Sequence, residues 1–166
     1  MEGNKMGLFD FMKGKKGIVI SAPVKGACIP ISEVADPTFA DEILGKGIAI
    51  KPTDGKVYAP ADGTITTLFP TGHAIGLQTT DGVEVLIHVG LDTVQLKGQY
   101  FDTKVEVNQE VKKGDLLLSA DVEEIRKAGY DTVTPMLICN SDAYTSIECK
   151  KDGMVEPGDD VITCTA

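Results

Sequence analysis

GVEVLIHVGLDTV, residues 82–94, runs through closely spaced aliphatic side chains and then places an imidazole, His88, where a strand would otherwise bury hydrocarbon. The run follows QTTDG, and Asp81-Gly82 predicts a two-residue hairpin loop back to the strand-like stretch AIGLQ. Placing Thr80 opposite Val83 makes His73 oppose Gly90. His88 then lies on the same face as His73, about 7–8 Å away on the diagonal. These are the only two histidines in the chain. In this register Ile75, Leu77 and Leu86 share the histidines' face, while Val83, Val85, Ile87 and Val89 point into the core.

Working outward, short β-branched runs bounded by turn residues recur along the chain: GIVISAP, GACIPI, GIAIKP, KVYAP, GTITTLF, VEVNQ, DLLLSA, TPMLICN and DVITCT. Such even spacing, with Gly and Asp punctuation, predicts an all-β antiparallel sandwich and not alternating βαβ units. Two short helices are expected. One lies in DPTFADEILG, with Asp36 as N-cap and Gly45 as stop, and the other in DVEEIRKAGY, with Asp121 and Gly129 in those roles. SAPVKGACIPI resembles YAPADGTITTL, and VKKGDLLL resembles VEPGDDVI, so the hairpin motifs are read as duplicated, in a barrel-sandwich style.

With 166 residues the chain is expected to hold one domain over residues 17–166 behind a flexible segment, residues 1–16. The alternative for that segment is a weak, peripheral membrane-surface anchor built on Leu8, Phe9, Phe11 and Met12. A formal charge of -9 with no basic cluster argues against a nucleic-acid ligand and leaves basic protein partners open. Neither a signal-peptide pattern nor a membrane-length apolar run is present, so a cytoplasmic location is expected. Cys28, Cys139, Cys149 and Cys164 fit no zinc or redox spacing and are read as reduced packing thiols.

Two imidazoles converging beside glycines in an apolar neighbourhood form a paired site, able to bind a metal with a carboxylate or to act as nucleophile and helper in group transfer. Gly82-x-x-Val85-Leu86-Ile87-His88-Val89-Gly90-Leu91-x-Thr93-Val94 resembles the phosphohistidine signature of glucose-type enzyme IIA (EIIA) of the bacterial phosphoenolpyruvate-dependent sugar phosphotransferase system. GIAIKP, YAPADGTI, FPTGHA, LKG, the VKKGD turn and TPMLICN follow in family order. The resemblance implies that His88 takes a phosphoryl group from the carrier HPr and passes it to a cysteine of a sugar-specific IIB component working with a IIC permease. It also implies that His73 is the partner imidazole and that Thr71 orients His73. The carbonyl of Gly90 is the nearest candidate acceptor for the second ring N–H of His88.

Asp36 and Asp92 match acidic positions near the family's site, each with a turn or cap role as the plainer reading. Phe39, Phe69, Ile75 and Leu86 match an apolar docking patch, and regulatory protein partners are compatible with it. No cofactor is required on this reading, with zinc an incidental ligand of His73 and His88. The competing zinc hydrolase would use His73, His88 and an aspartate, but the sequence offers neither H-x-H nor H-E-x-x-H.

Overall fold

Residues 17–166 are described by a computed structural model, and the expected flexible segment, residues 1–16, lies outside the described residues. The strands are β1 (Ile18–Ser21), β2 (Gly26–Pro30), β3 (Lys46–Pro52), β4 (Lys56–Tyr58), β5 (Gly63–Leu68), β6 (Ala74–Thr79), β7 (Glu84–His88), β8 (Phe101–Thr103), β9 (Glu110–Val111), β10 (Leu116–Ala120), β11 (Thr134–Ile138), β12 (Ser146–Cys149), β13 (Met154–Val155) and β14 (Asp160–Thr165). Their pairings are antiparallel. One sheet runs β13-β2-β3-β11-β7-β6-β5-β9, and two three-stranded sheets, β1-β14-β12 and β4-β10-β8, complete the sandwich. No helix among the described residues is long and apolar enough to cross a membrane.

The sequence repeats mark an internal two-fold relation. Asp115 and Asp159 each close a turn by accepting the N–H three residues back, from Lys112 at 2.9 Å and from Glu156 at 2.8 Å. Gly114 and Gly158 supply the positive φ those turns need, 93° and 100°. Each turn then docks on an Ala-Pro step, Gly114 N–H on the Ala59 carbonyl and Gly158 N–H on the Ala22 carbonyl. The Ala-Pro steps also hold each other, through Tyr58 N–H to the Pro23 carbonyl and Ser21 N–H to the Pro60 carbonyl. The large sheet therefore reads alike from both ends, with β13 on β2 matching β9 on β5.

Between the sheets lies an aliphatic core that includes Ile20, Ile48, Ile50, Ile65, Leu117, Leu118 and Met136. A second, smaller cluster of Ile31, Val34, Phe39, Ala49, Leu91, Val133 and Leu137 covers the other side of the large sheet. The two helices are present but short: α1 (Pro37–Ala40), capped by Asp36 on Thr38 N–H at 2.9 Å, and α2 (Val122–Lys127), capped by Asp121 on Glu124 N–H at 3.2 Å. VEVNQ, expected as a strand, is irregular, because Glu106 and Gln109 close a turn there and pairing resumes only at β9. The strands β8, β9, β12 and β13, two to four residues long, do not stand out as apolar runs.

The hairpin register differs from expectation by one residue. Thr79 and Val83 close the loop with two bonds, Thr79 N–H to the Val83 carbonyl at 2.9 Å and Val83 N–H to the Thr79 hydroxyl at 3.0 Å. The loop is therefore Thr80-Asp81-Gly82, three residues with Gly82 at φ 92°. Ala74 opposes His88, and a one-residue slip exchanges the faces of a strand. Ile75 and Leu77, expected beside the histidines, are accordingly turned into the core with Val85 and Ile87. Ile75 is fully buried there and is no part of an exposed docking patch.

Ile75→Ala should cost about 2–5 kcal/mol of stability in urea unfolding, the range for truncating a buried aliphatic side chain. A loss below about 0.5 kcal/mol, typical of a surface position, would contradict this placement.

Candidate functional site

His88 ends β7, and its Nδ1 lies 2.7 Å from the Gly90 carbonyl oxygen. A carbonyl only accepts, so Nδ1 carries the proton and, in the neutral ring, Nε2 keeps a free lone pair. The back-bond requires a sharp reversal, which Gly90 makes at φ 82°. A Cβ at Gly90 would stand 2.5 Å from Thr93 Cγ2 and 2.9 Å from the Asp131 carbonyl oxygen, so no larger residue fits.

His73 reaches the same place by a different route. It lies just before β6, beyond the turn made by Gly72 at φ 75°, so strand alternation does not dictate where its ring points. Ala74, opposite His88 across the hairpin, carries only a methyl group. The imidazoles meet with centroids 4.8 Å apart and planes at 79°. Thr71 Oγ1 lies 2.5 Å from His73 Nδ1; with the hydroxyl donating, His73 carries its proton on Nε2. Phe39 packs on the His88 ring at 5.0 Å and Phe69 on the His73 ring at 5.3 Å.

Burial, reinforced by the neighbouring His88, lowers the His73 pKa to about 4. Burial also lowers that of His88, against the opposing pull of the Gly90 carbonyl and of the Asp36 and Asp92 carboxylates. Both rings are neutral near pH 7, which is the state a nucleophile needs. Asp36 caps α1 and Asp92 sits in a left-handed turn at φ 60°, so each has a local backbone role while its charge is felt at His88.

The expected docking residues divide. Phe69 is exposed and Leu86 half-buried, whereas Phe39 is buried in the smaller cluster, where it backs the His88 ring. Beside the histidines, Phe69, Gly76, Glu84, Leu86 and Cys139 line a groove of about 410 Å³. Across Cys139 it continues into a hollow bordered by Ile43 and Leu44. Sequence reasoning missed Ile43, Leu44 and Val94, which are 68%, 40% and 50% exposed. The first two were absorbed into a longer expected helix, but α1 ends at Ala40 and leaves them on the surface. Cys28 and Cys164 are buried thiols as expected, while Cys139 is exposed on the groove. Among the described residues no group of three or more His, Cys, Asp and Glu side chains is arranged to hold a metal ion.

Residues 18–144 match the family described as phosphoenolpyruvate-dependent sugar phosphotransferase system, EIIA 1. The chain is 50% identical to the glucose-specific EIIA component of Bacillus cereus over 129 residues, 78% of each protein. It is 51% identical over 135 residues to the beta-glucoside-specific EIIBCA component of Dickeya chrysanthemi, covering 81% of this chain and 21% of that protein. The chain thus spans about a fifth of the length of such multidomain relatives. Glucose permease IIA from Mycoplasma capricolum superposes with a TM-score of 0.81 at 37% identity, over 90% of this chain and 97% of that one. This likeness includes the β-sandwich itself.

The lowered pKa of His73 makes a linkage prediction. Between about pH 6.5 and 4 the unfolded chain binds a proton at this position that the folded protein refuses, so stability is full above pH 6.5 and falls as the pH drops toward 4. Over that window His73→Gln should remove roughly 3 kcal/mol of the acid destabilisation, at about 1.4 kcal/mol per pKa unit. Urea melts of both proteins across the window measure it, and identical pH profiles would contradict the assignment.

Proposed function

The chain belongs to the EIIA 1 family of the phosphoenolpyruvate-dependent sugar phosphotransferase system, and from that membership we propose that it works as a phosphocarrier whose nucleophile is His88. The observation that carries the residue assignment is the 2.7 Å bond from His88 Nδ1 to the Gly90 carbonyl, which leaves Nε2 unprotonated beside a second neutral imidazole.

His88 Nε2 attacks the phosphorus of phosphohistidine on HPr. One P–N bond forms as the other breaks, and the electron pair of the broken bond leaves with the carrier's imidazole. Because Nδ1 keeps its proton, the phosphorylated His88 ring gains positive charge, which the Gly90 carbonyl and the Asp36 and Asp92 charges stabilise. His73, held by Thr71, donates Nε2–H to the phosphoryl oxygens, where a loose, highly charged transition state profits most from a preorganised donor. In the discharge step a cysteine thiolate of IIB takes the phosphoryl group, a P–S bond replaces the P–N bond, and the electron pair returns to Nε2. The relay so written requires no metal or cofactor.

Phe69, Leu86, Ile43, Leu44 and Val94 offer an exposed or half-buried apolar surface next to Asp36 and Asp92, suited to carriers that present apolar and basic groups. The IIB acceptor is that of a glucose or β-glucoside permease, the substrates named for the relatives, and the relay operates on the cytoplasmic side.

With purified upstream and downstream partners and a radiolabel chase, His88→Gln should carry no acid-labile, base-stable label. His73→Gln should still accept phosphate but transfer about 10²–10³-fold more slowly, the cost of losing one preorganised donor, with donation impaired more than acceptance. Full labelling of His88→Gln would overturn the assignment.

A further inference from the structure

Two successive peptide groups beyond His88 are held at both ends. In the first, Val89–Gly90, the N–H donates to the Val133 carbonyl at 3.0 Å and the carbonyl accepts the Thr93 hydroxyl at 2.6 Å. In the second, Gly90–Leu91, the N–H donates to the Asp131 carbonyl at 2.9 Å and the carbonyl accepts His88 Nδ1–H. A trans peptide points its N–H and C=O in opposite directions, so anchoring one end aims the other. Three of these four anchors come from backbone carbonyls or from His88 itself, and Thr93 supplies the only further side chain. Its hydroxyl is fully buried, and its methyl fills the space that glycine leaves open at residue 90.

Resting on the reading of His88 as nucleophile, we propose that Thr93 is a positioning residue: its hydroxyl fixes the Val89–Gly90 peptide, and by holding the Gly90 Cα that this peptide shares with the next one it keeps the Gly90 carbonyl on His88 and the His88 proton on Nδ1. The chain of contacts extends to the second imidazole, because Val89 N–H donates to the His73 carbonyl at 2.7 Å. Val89 is thereby held on both sides, its N–H by the His73 segment and its carbonyl by the Thr93 hydroxyl. Without it the Val89 carbonyl is a buried acceptor with no donor, and rotation of the peptide to find one swings the Gly90 carbonyl off Nδ1. The proton is then free to move to Nε2, and each ring in that tautomer is closed to attack.

The test compares Thr93→Val, which keeps the shape and loses the hydroxyl, with Thr93→Ser, which keeps the hydroxyl. Long-range proton–nitrogen NMR of the unphosphorylated protein reports which ring nitrogen of His88 bears the proton. The wild type should show Nδ1–H. Thr93→Val should show a mixture of tautomers and accept phosphate from HPr about 10–100-fold more slowly, the usual cost of removing an outer hydrogen bond that orients a reacting imidazole. Thr93→Ser should restore both. Should Thr93→Val not fold by its amide spectrum, Thr93→Cys, with its weaker S–H donor, takes its place. A folded hydroxyl-free variant with wild-type tautomer and rate overturns the proposal, as does a serine variant as impaired as the valine. If His88→Gln proves to carry label, the nucleophile assignment falls, while the tautomer comparison still decides the role of Thr93.

Discussion

The bond from Val83 N–H to the Thr79 hydroxyl governs more of this structure than its size suggests. By drawing a third residue into the hairpin loop it decides which side chains of β6 and β7 face the core. Ile75, Leu77, Val85 and Ile87 go inward, and Leu86 and His88 go outward. With a two-residue loop and β7 unchanged, Ile75 and Leu77 would turn out of the core and Gln78 would turn into it, an arrangement the core cannot tolerate. Hydrophobic burial and turn chemistry therefore agree on one register.

That register leaves His88 at a strand end with its ring against Phe39, outside the main core and half-buried. The apolar surroundings strip both imidazoles of charge, and the backbone then decides which nitrogen stays bare. A low-polarity setting combined with a single well-placed acceptor thus leaves His88 Nε2 unprotonated without any strongly basic group beside it.

Much of this was legible in the sequence. The sandwich followed from turn-bounded β-branched runs, and the duplicated Ala-Pro and Gly-Asp signatures marked real equivalent turns. The convergence of His73 and His88 was anticipated through a register that is wrong by one residue; the rings meet because His73 lies beyond the strand end, where Gly72 frees its direction. Loop length eluded the reading because Asp-Gly favours two-residue and bulged three-residue loops alike, and only the threonine hydroxyl separates them. The exposure of Ile43 and Leu44 was hidden because an apolar pair after a helical pattern reads as more helix. The bond from Thr93 to the Val89 carbonyl has no composition signal at all.

The pairing of β1 with β14 brings together residues from opposite ends of the described chain, Ile18 against Cys164, while the two histidines share a local hairpin. Loop-closure entropy makes such distant contacts slow to form, so the hairpin can assemble long before the sandwich shuts. The anchors for the peptides after His88 come from Asp131 and Val133, well downstream of it. A growing polypeptide that has emerged only as far as β10 therefore holds both imidazoles but lacks the segment before β11 whose carbonyls anchor the peptides after His88. The orientation of the His88 ring is therefore completed late in folding, after the hairpin that carries both imidazoles is already in place.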